Sequence, residues 1–486
     1  MRTWISVHLP LLPLETIRPN WSEAGRHVVV ARGRVVAASA QAVEGGVRIG
    51  MRSSGVQAIC PDAAVHEQDA AREQEALCGV ALALLQYTPE VALAGERDVL
   101  LDVSASLRAF GGRLALARLV RASVDTLGFT LRLGMAPTAQ GAWLLAHAAQ
   151  RRRRVVRMER LAQWLDALPC LLLPALLPYE EWLAGIGCRS FGQLRRLPRA
   201  GLQRRTDAGV LDALDRAYGQ APELFEWVQA PPAFRARLEL PDRIEHAEAA
   251  LFAARRLLQQ LSGWLVAHQF AVTRFLLQLE HERGRQAVAP TPLEIALAAP
   301  AWREDHLTRL LKERLARIVL TAPLIGLRLE ALQVETMKPP TDSLFPDPGA
   351  TPEEFHRLLE LLGARLGDHS VLTPALRADH RPEVCNAWVP AAGPRTRRTD
   401  AAPEFAERPF WLLEQPIELI VREHRPVFRS PLKLVKGPER IECGWWDGGL
   451  IVRDYFIYQE DSATCYWLYR ERREEEVRWF LQGFFA

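Results

Sequence analysis

GERDVLLDVSASLRAFGG, residues 95–112, opens on a glycine turn, runs through a Leu- and Val-rich stretch at DVLLDVSA (98–105) and closes on paired glycines. A short apolar run bounded by turn formers reads as a buried strand. Beyond it, RLALARLVRASVDTLG (113–128) carries apolar residues at helical spacing, TLRLGMA (130–136) reads as a strand and AQGAWLLAHAAQ (139–150) as a helix. On the other side, WISVHL (4–9) is a strand that Pro10 stops, and HVVVARGRVVAAS (27–39) is a hairpin with Gly33 at its turn. The stretch 69–87 is helical. Strands alternating with helices from the start of the chain to Arg160 predict a mixed α/β domain.

The rest of the 486-residue chain adds at least two more domains at about 150 residues each. From 161 to 230 the pattern is helical and broken at Pro169, Pro174, Pro178 and Pro198; from 240 to 335 it returns to α/β order, as a split βαβ-type unit. MKPPTDSLFPDPGATPEE (337–354) reads as an exposed linker, PEEFHRLLELLGARLG (352–367) as an amphipathic helix, and residues 391–407 as a second linker. The tail, 408–486, is rich in aromatics, and there is no internal repeat.

Hydrophobic residues at 49% and charged residues at 24% exclude global disorder, and the formal charge of +3 permits a nucleic-acid partner without requiring one. The seven cysteines are scattered and form no CxxC, which points to buried thiols rather than zinc knuckles or disulfides. The histidines show no metal-ligand spacing, so no metal or cofactor is expected. Pro10, Pro13 and His8 interrupt the apolar N-terminus, and no stretch approaches the roughly 20 apolar residues of a membrane span. A soluble cytoplasmic protein with no membrane partner is expected.

Four segments stand in the order of the motifs of Y-family (lesion-bypass) DNA polymerases. They are the strand at Ile5 to Leu9, SAQAVEGGVRIGM (39–51), GERDVLLDVSASLRAFGG (95–112) and LGMAPTAQGAWLLAHAA (133–149). The second resembles that family's fingers motif, the third its SIDEAFLDVTG and the fourth its GIAPNK motif. The resemblance implies a polymerase-like right hand: a palm over 1–160 with fingers inserted at about 18–80, a helical thumb over 161–235 and a little finger over 240–336. A linker (337–351), a helical segment with linker (352–407) and a C-terminal partner-binding region (408–486) follow.

The departures from the family pattern decide the chemistry. Two-metal phosphoryl transfer needs carboxylates gathered around two ions. At the positions matching the family's three acids stand His8, Arg97 and Asp98. Asp102 lies on the same strand as Asp98, about 13 Å away, too far to share the ions. The positions matching the family's triphosphate contacts are Ala40, Val43, Thr138 and Ala139, none of which is charged. The implied palm therefore has no catalytic residues and no nucleotide site. The alternative, a low-activity polymerase, requires Glu15, Asp98 and Asp102 to converge.

A palm without its acids resembles the ImuB branch of the Y family. The tail carries that resemblance furthest, through GPERI (437–441), Trp445-Trp446, Arg453-Asp454-Tyr455, Trp467-Leu468-Tyr469-Arg470 and WFLQGFFA (479–486). It implies a damage-response adaptor working with an ImuA-type RecA-like protein, an error-prone C-family polymerase, the sliding clamp and primer–template DNA in the nucleoid. Ser343, Leu344 and Phe345 are similar to the end of the clamp motif, with Thr341 where Gln is usual. An apolar pair on an extended linker can fill a pocket, or can fold back on its own domain.

LAGIGCRSFGQL (183–194) resembles a helix-hairpin-helix. Gly185, Gly187, Arg189, Arg195 and Arg196 are its candidate phosphate contacts, with Arg199, Arg204, Arg205 and the run 151–154 nearby. A solvated face would carry arginines too. Trp445, Trp446, Trp479, Phe480, Phe484 and Phe485 are the candidate partner-binding aromatics, with the final FLQGFFA read as an exposed docking segment beside a small β core. A third reading is a DNA-binding repair protein that meets neither clamp nor polymerase.

Overall fold

The computed structural model describes residues 2–149, 154–282, 288–337, 352–367, 369–391, 407–473 and 476–485. The chain divides into two compact units, Met1–Leu361 and Leu362–Ala486.

The first unit opens with β1 (Trp4–His8) and α1 (Leu12–Glu15), then a small inserted unit: β2 (His27–Ala31), β3 (Arg34–Ala38), α2 (Ala40–Glu44), α3 (Ser53–Ile59) and β4 (Ala64–Glu67). Arg32 and Gly33 both take positive φ (48° and 73°), the backbone of a tight two-residue hairpin turn, as the Gly33 signal predicts. Next come α4 (Ala70–Leu84), β5 (Val91–Leu93), β6 (Asp98–Asp102), α5 (Arg113–Thr126), β7 (Arg132–Ala136) and α6 (Ala139–His147). The expected fingers boundary at residue 80 is too late. Leu77, Val80 and Leu84 of α4 pack into the core of the larger sheet, so the insertion ends before α4.

That sheet has the order β5-β6-β1-β7, with antiparallel neighbours. Strand alternation gives it two faces. Ile5, Val7, Val99 and Leu101 pack with the apolar sides of α4 and α5. Trp4, Leu100 and Ala136 pack with α6 and with the helical stretch that follows. The register sets His8 opposite Asp98 and Ser6 opposite Gly134, all on the α6 side. At Gly134 the sheet and α6 touch backbone to backbone: a Cβ there would lie 1.9 Å from the Ala142 carbonyl oxygen.

The helical stretch is α7 (Met158–Asp166), α8 (Glu180–Gly185), α9 (Phe191–Arg196), α10 (Arg199–Arg205) and α11 (Ala208–Ala217). Leu161, Leu165, Phe191, Leu194 and Leu214 build its core against α6.

The next module is β8 (Arg235–Ile244), α12 (Ala250–Ala267), β9 (Phe270–His281), β10 (Thr291–Ala301), α13 (Glu304–Leu315) and β11 (Leu324–Thr336). Its four-stranded antiparallel sheet has the order β10-β9-β11-β8. Both edge strands escape the sequence reading, which finds only β9 and β11. Edge strands need little apolar content, and β8 alternates charge (Arg235, Arg237, Glu239) with Pro241 near its end. The module packs on α4 through α12, where Gly263 admits the Leu82 carbonyl; a Cβ at Gly263 would lie 1.9 Å from that oxygen. Helix α14 (Pro352–Leu366) follows and crosses the division between the units.

The second unit carries a hairpin, β12 (Leu372–Leu376) and β13 (Asn386–Pro390), absent from the sequence reading. After it come β14 (Trp411–Arg422), β15 (Arg425–Phe428), β16 (Ser430–Pro431), β17 (Lys433–Cys443), β18 (Ile451–Gln459), β19 (Cys465–Arg473) and β20 (Glu476–Phe484). These form one seven-stranded sheet, β16-β15-β14-β20-β19-β18-β17. The expectation that FLQGFFA docks as an exposed segment is overturned here. Its residues 480–484 lie in β20, in the middle of the sheet between β14 and β19. Its two sides are both apolar, Trp479 and Leu481 on one and Phe480 on the other, and such a run has no period that separates strand from helix.

Candidate functional site

The β1–β6 register sets His8 beside Asp98, with Nδ1 3.0 Å from Oδ1. Helix α6 ends on His147, whose Nε2 lies 3.5 Å from the other Asp98 oxygen. The two imidazoles lie face to face at 3.9 Å between centroids, and Trp143, one turn back on α6, stacks on His147 at 3.8 Å. Nδ1 of His147 donates to the Trp143 carbonyl at 3.0 Å. Burial pushes the His147 imidazole below its ordinary range, and the Asp98 carboxylate opposes that shift in part. Asp98 is buried, and Ser6 on the same sheet face has a buried hydroxyl with no hydrogen-bond partner among the described residues.

His8, Asp98 and His147 each offer a donor atom within 4.8 Å of the others, the one such trio among the described residues. The histidines show no ligand spacing along the sequence, yet two of them meet here in space. No local spacing could have signalled it, because the trio joins two strands and a helix from distant parts of the sequence.

The other sequence-predicted positions do not converge on this trio. Burial raises the carboxyl of Glu73 on α4, and Arg97 lies near enough to oppose that with a smaller lowering effect. Asp102 turns to Ser104, accepting from its amide at 2.9 Å and from its hydroxyl. Glu15 accepts from the Thr130 amide and hydroxyl at 2.8 and 2.5 Å. Glu15, Asp98 and Asp102 are therefore held in three separate places. Two Mg²⁺ ions, which take oxygen ligands, do not fit a donor set of His, Arg and Asp at positions 8, 97 and 98.

Ala40 and Val43 lie on the exposed side of α2 and offer no group to a phosphate. Thr138 caps α6, accepting from the Gly141 amide and donating to the Ala217 carbonyl at 2.9 Å. The free amides of Ala139 and Gln140 donate to the two oxygens of Glu223 at 2.9 and 2.6 Å. A helix N-terminus favours an anion, and here the chain supplies its own. Burial is the largest influence on the Glu223 carboxyl and raises it. Sequence reasoning had no signal for Glu223, which reaches the start of α6 from beyond α11.

The stretch read as a helix-hairpin-helix places a turn at Gly187 between α8 and α9. Gly187 has φ +73°, and a Cβ on Gly185 or Gly187 would meet nothing within 4 Å, so the turn is open to an approaching backbone. Ser190 and Gln193 form a capping box at the start of α9. Arg195 is exposed, pairs with Asp166 at 2.8 Å and stacks 4.0 Å over Tyr218, tying α9 to its neighbours. Arg199 is likewise bound to Asp215 through two hydrogen bonds. Arg189, Arg196, Arg204 and Arg205 are exposed and form no ion pair among the described residues. Arg154 is described, whereas 151–153 lie outside the described residues, as do Ser343, Leu344 and Phe345.

In the second unit the tail motifs are knitted together. Asp454, fully buried, lies opposite Arg440 on one side and Arg470 on the other, with contacts of 2.8 and 2.9 Å. Three motifs separated along the chain thus meet in one charge ladder. Tyr455 stacks on Trp467 at 4.2 Å and donates to Gln482 at 2.7 Å.

Trp479, Phe480, Phe484 and Phe485 are corrected from partner anchors to packing residues. Trp479 lies against Phe456, Phe480 stacks on Tyr469, Phe484 meets the Tyr466 edge and Phe485 packs against the second apolar cluster. Trp445 and Trp446 stay largely exposed, at 71% and 54%. Trp388, Phe410 and Trp411, which sequence reasoning did not single out, are more than two-thirds exposed.

A family model described as the impB/mucB/samB family matches residues 16–147. Proteins named ImuB from Caulobacter vibrioides, strains NA1000 / CB15N and ATCC 19089 / CIP 103742 / CB 15, are each 25% identical over 467 residues, spanning 90% of this chain and 99% of theirs. Two solved structures, a Dbh ternary complex with partially disordered substrates and an insertion ternary complex of Dbh DNA polymerase, are 17% and 16% identical. Each match covers 68% of this chain and 98% of theirs at a TM-score of 0.40. The chain is similar to proteins named ImuB along most of its length, with a Y-family polymerase-like fold followed by a β-rich C-terminal region. Among the described residues no helix is long and apolar enough to cross a membrane.

Proposed function

We propose that this chain is a non-catalytic, DNA-binding adaptor of a bacterial damage-induced translesion-synthesis complex. The observation that carries this reading is the donor set at the end of β1 and β6. Where phosphoryl transfer needs acids gathered on paired ions, one acid is present, and two imidazoles flank it. The α6 N-terminus filled by Glu223 supports it, as does similarity over nine-tenths of the chain to proteins named ImuB.

In this reading the polymerase-shaped first unit grips primer–template DNA without regard to sequence. Ser343, Leu344 and Phe345 tether it to the sliding clamp, and the C-terminal region holds an ImuA-type RecA-like partner and an error-prone C-family polymerase at the nucleoid in the cytoplasm. Exposed Trp445 and Trp446 are the tail residues for that contact. Several weak contacts on one chain raise the effective concentration of the working enzyme at the primer end, by about 10²–10⁴ in avidity.

Primer extension with Mg²⁺ or Mn²⁺ and all four nucleotides, beside an active Y-family polymerase, is expected to give no product above background while a mobility shift on the same DNA shows binding. Extension abolished by Asp98→Asn would make the protein a low-activity polymerase instead. Replacing Arg189, Arg196, Arg204 and Arg205 together by Ala is expected to weaken DNA binding and to flatten its salt dependence by about 0.9 in log–log slope per lost phosphate contact. An unchanged slope would remove the thumb turn from the DNA interface. Leu344→Ala with Phe345→Ala is expected to abolish capture by immobilised clamp and leave DNA binding intact; undiminished capture would favour a repair protein that does not use this motif.

A further inference from the structure

We propose that His8, Asp98 and His147 hold a single divalent first-row transition-metal ion, of the zinc type, clasping α6 to β1 and β6. The argument starts from the hydrogen on His147. Its Nδ1 faces the Trp143 carbonyl at 3.0 Å, and a carbonyl only accepts, so the ring hydrogen lies on Nδ1. With that nitrogen donating, Nε2 is the ring atom left for a ligand, and it points toward a carboxylate oxygen 3.5 Å away. A nitrogen and a carboxylate oxygen converge there on a buried acid, with His8 Nδ1 beside them, and a cation between them uses all three donors. An imidazole whose other nitrogen donates to a backbone carbonyl is the arrangement that orients metal-binding histidines.

The donors select the ion. Two imidazole nitrogens with one carboxylate suit zinc, cobalt or nickel, whereas magnesium and calcium take oxygen. Three protein ligands leave a fourth position for water. The donors lie within 4.8 Å of one another, against about 3.3 Å around a tetrahedral ion with bonds of about 2.0–2.1 Å, so binding draws them inward. One such ion does not restore a two-metal centre, and the inference stands whether or not the chain is an adaptor.

The test uses the full-length protein, stripped with chelator, reloaded with Zn²⁺ or Co²⁺ and desalted. One equivalent of Zn²⁺ is expected by elemental analysis, with a thermal midpoint roughly 5 °C higher at hundredfold excess over the dissociation constant. Mg²⁺ is expected to leave the midpoint unchanged. Co²⁺ is expected to give visible d–d bands without a thiolate charge-transfer band, which excludes the cysteines. His147→Gln and His8→Gln are each expected to lose the bands while retaining wild-type circular dichroism, and whichever folds decides the matter. His66→Gln, which alters the His27–His66 pair at 3.2 Å, is the control and is expected to keep them. Retention of the d–d bands in a folded His147→Gln or His8→Gln protein, their loss in His66→Gln, or a wild type that keeps no metal overturns the proposal.

Discussion

Gly134→Ala is expected to cost the first unit about 3 kcal/mol or more and to lower its melting midpoint by several degrees. The added methyl would stand 1.9 Å from the Ala142 carbonyl oxygen and 2.6 Å from the Ala146 amide nitrogen, where no rotamer can relieve it because both obstacles are backbone. Helix α6 must therefore lift from the sheet by more than an ångström. In doing so it opens the core that Ala142 and Leu145 share with Leu161 and Leu165, and it carries His147 away from Asp98. Calorimetry on the full chain reads the loss directly. Gly185→Ala is the comparison, since a Cβ there meets nothing within 4 Å, and its midpoint should match the wild type. A Gly134→Ala protein that melts with the wild type would mean that α6 does not lie on β7 as described.

In the second unit, Asp454→Ala is expected to cost about 2–3 kcal/mol, somewhat less than the roughly 3–5 kcal/mol of a fully buried pair because Arg440 and Arg470 keep part of their surface in water. The carboxylate lies between two cross-strand arginines, with Arg472 3.7 Å away, so removing it leaves the arginines of β17 and β19 without the acid they share. Amide hydrogen exchange should show protection falling across these strands while the first unit keeps its own. Asp461→Ala, which breaks an exposed pair with Lys433, should change nothing measurable.

The pH dependence has a definite sign. Burial alone would raise the Asp454 carboxyl, but hydrogen bonds from Arg440 and Arg470 outweigh it and hold it below the usual carboxylate range. A depressed folded value means that the stabilisation is whole above the unfolded value of about 3.9 and is lost as pH falls through the folded one. If acid unfolding of these strands were the same in wild type and Asp454→Ala, the ladder would carry no stability.

The ladder also shows how far a sequence motif can be read. Arg440, Asp454 and Arg470 mark the tail as a recognisable type, yet nothing in their spacing says whether they face a partner or one another. Antiparallel register answers that, because the chain reverses twice, from β17 to β18 and from β18 to β19, and puts them side by side. The aromatics divide in the same way. Trp479 and Phe480 sit in a run that is apolar on both sides, which suits a central strand as well as a docking segment. Trp445 and Trp446 lie in a turn and stay exposed.

Local sequence was sufficient where the determinant is local. The Gly33 hairpin, the strands at 4–8 and 98–102, α5, α6, the Gly187 turn and the order of the modules all follow from period, turn chemistry and capping, which depend on residues a few positions apart. The identities of His8 and Arg97, which the family resemblance sets opposite two acids, are legible in the same direct way. Tertiary structure alone decided what the remaining groups do. It set Asp98 between two histidines, put Glu223 on the amides of α6, tied Arg195 to Asp166 and paired residues 480–484 into a sheet. Each of these joins side chains from elements distant in sequence, and a charge or an imidazole carries no local mark of the partner that will neutralise it.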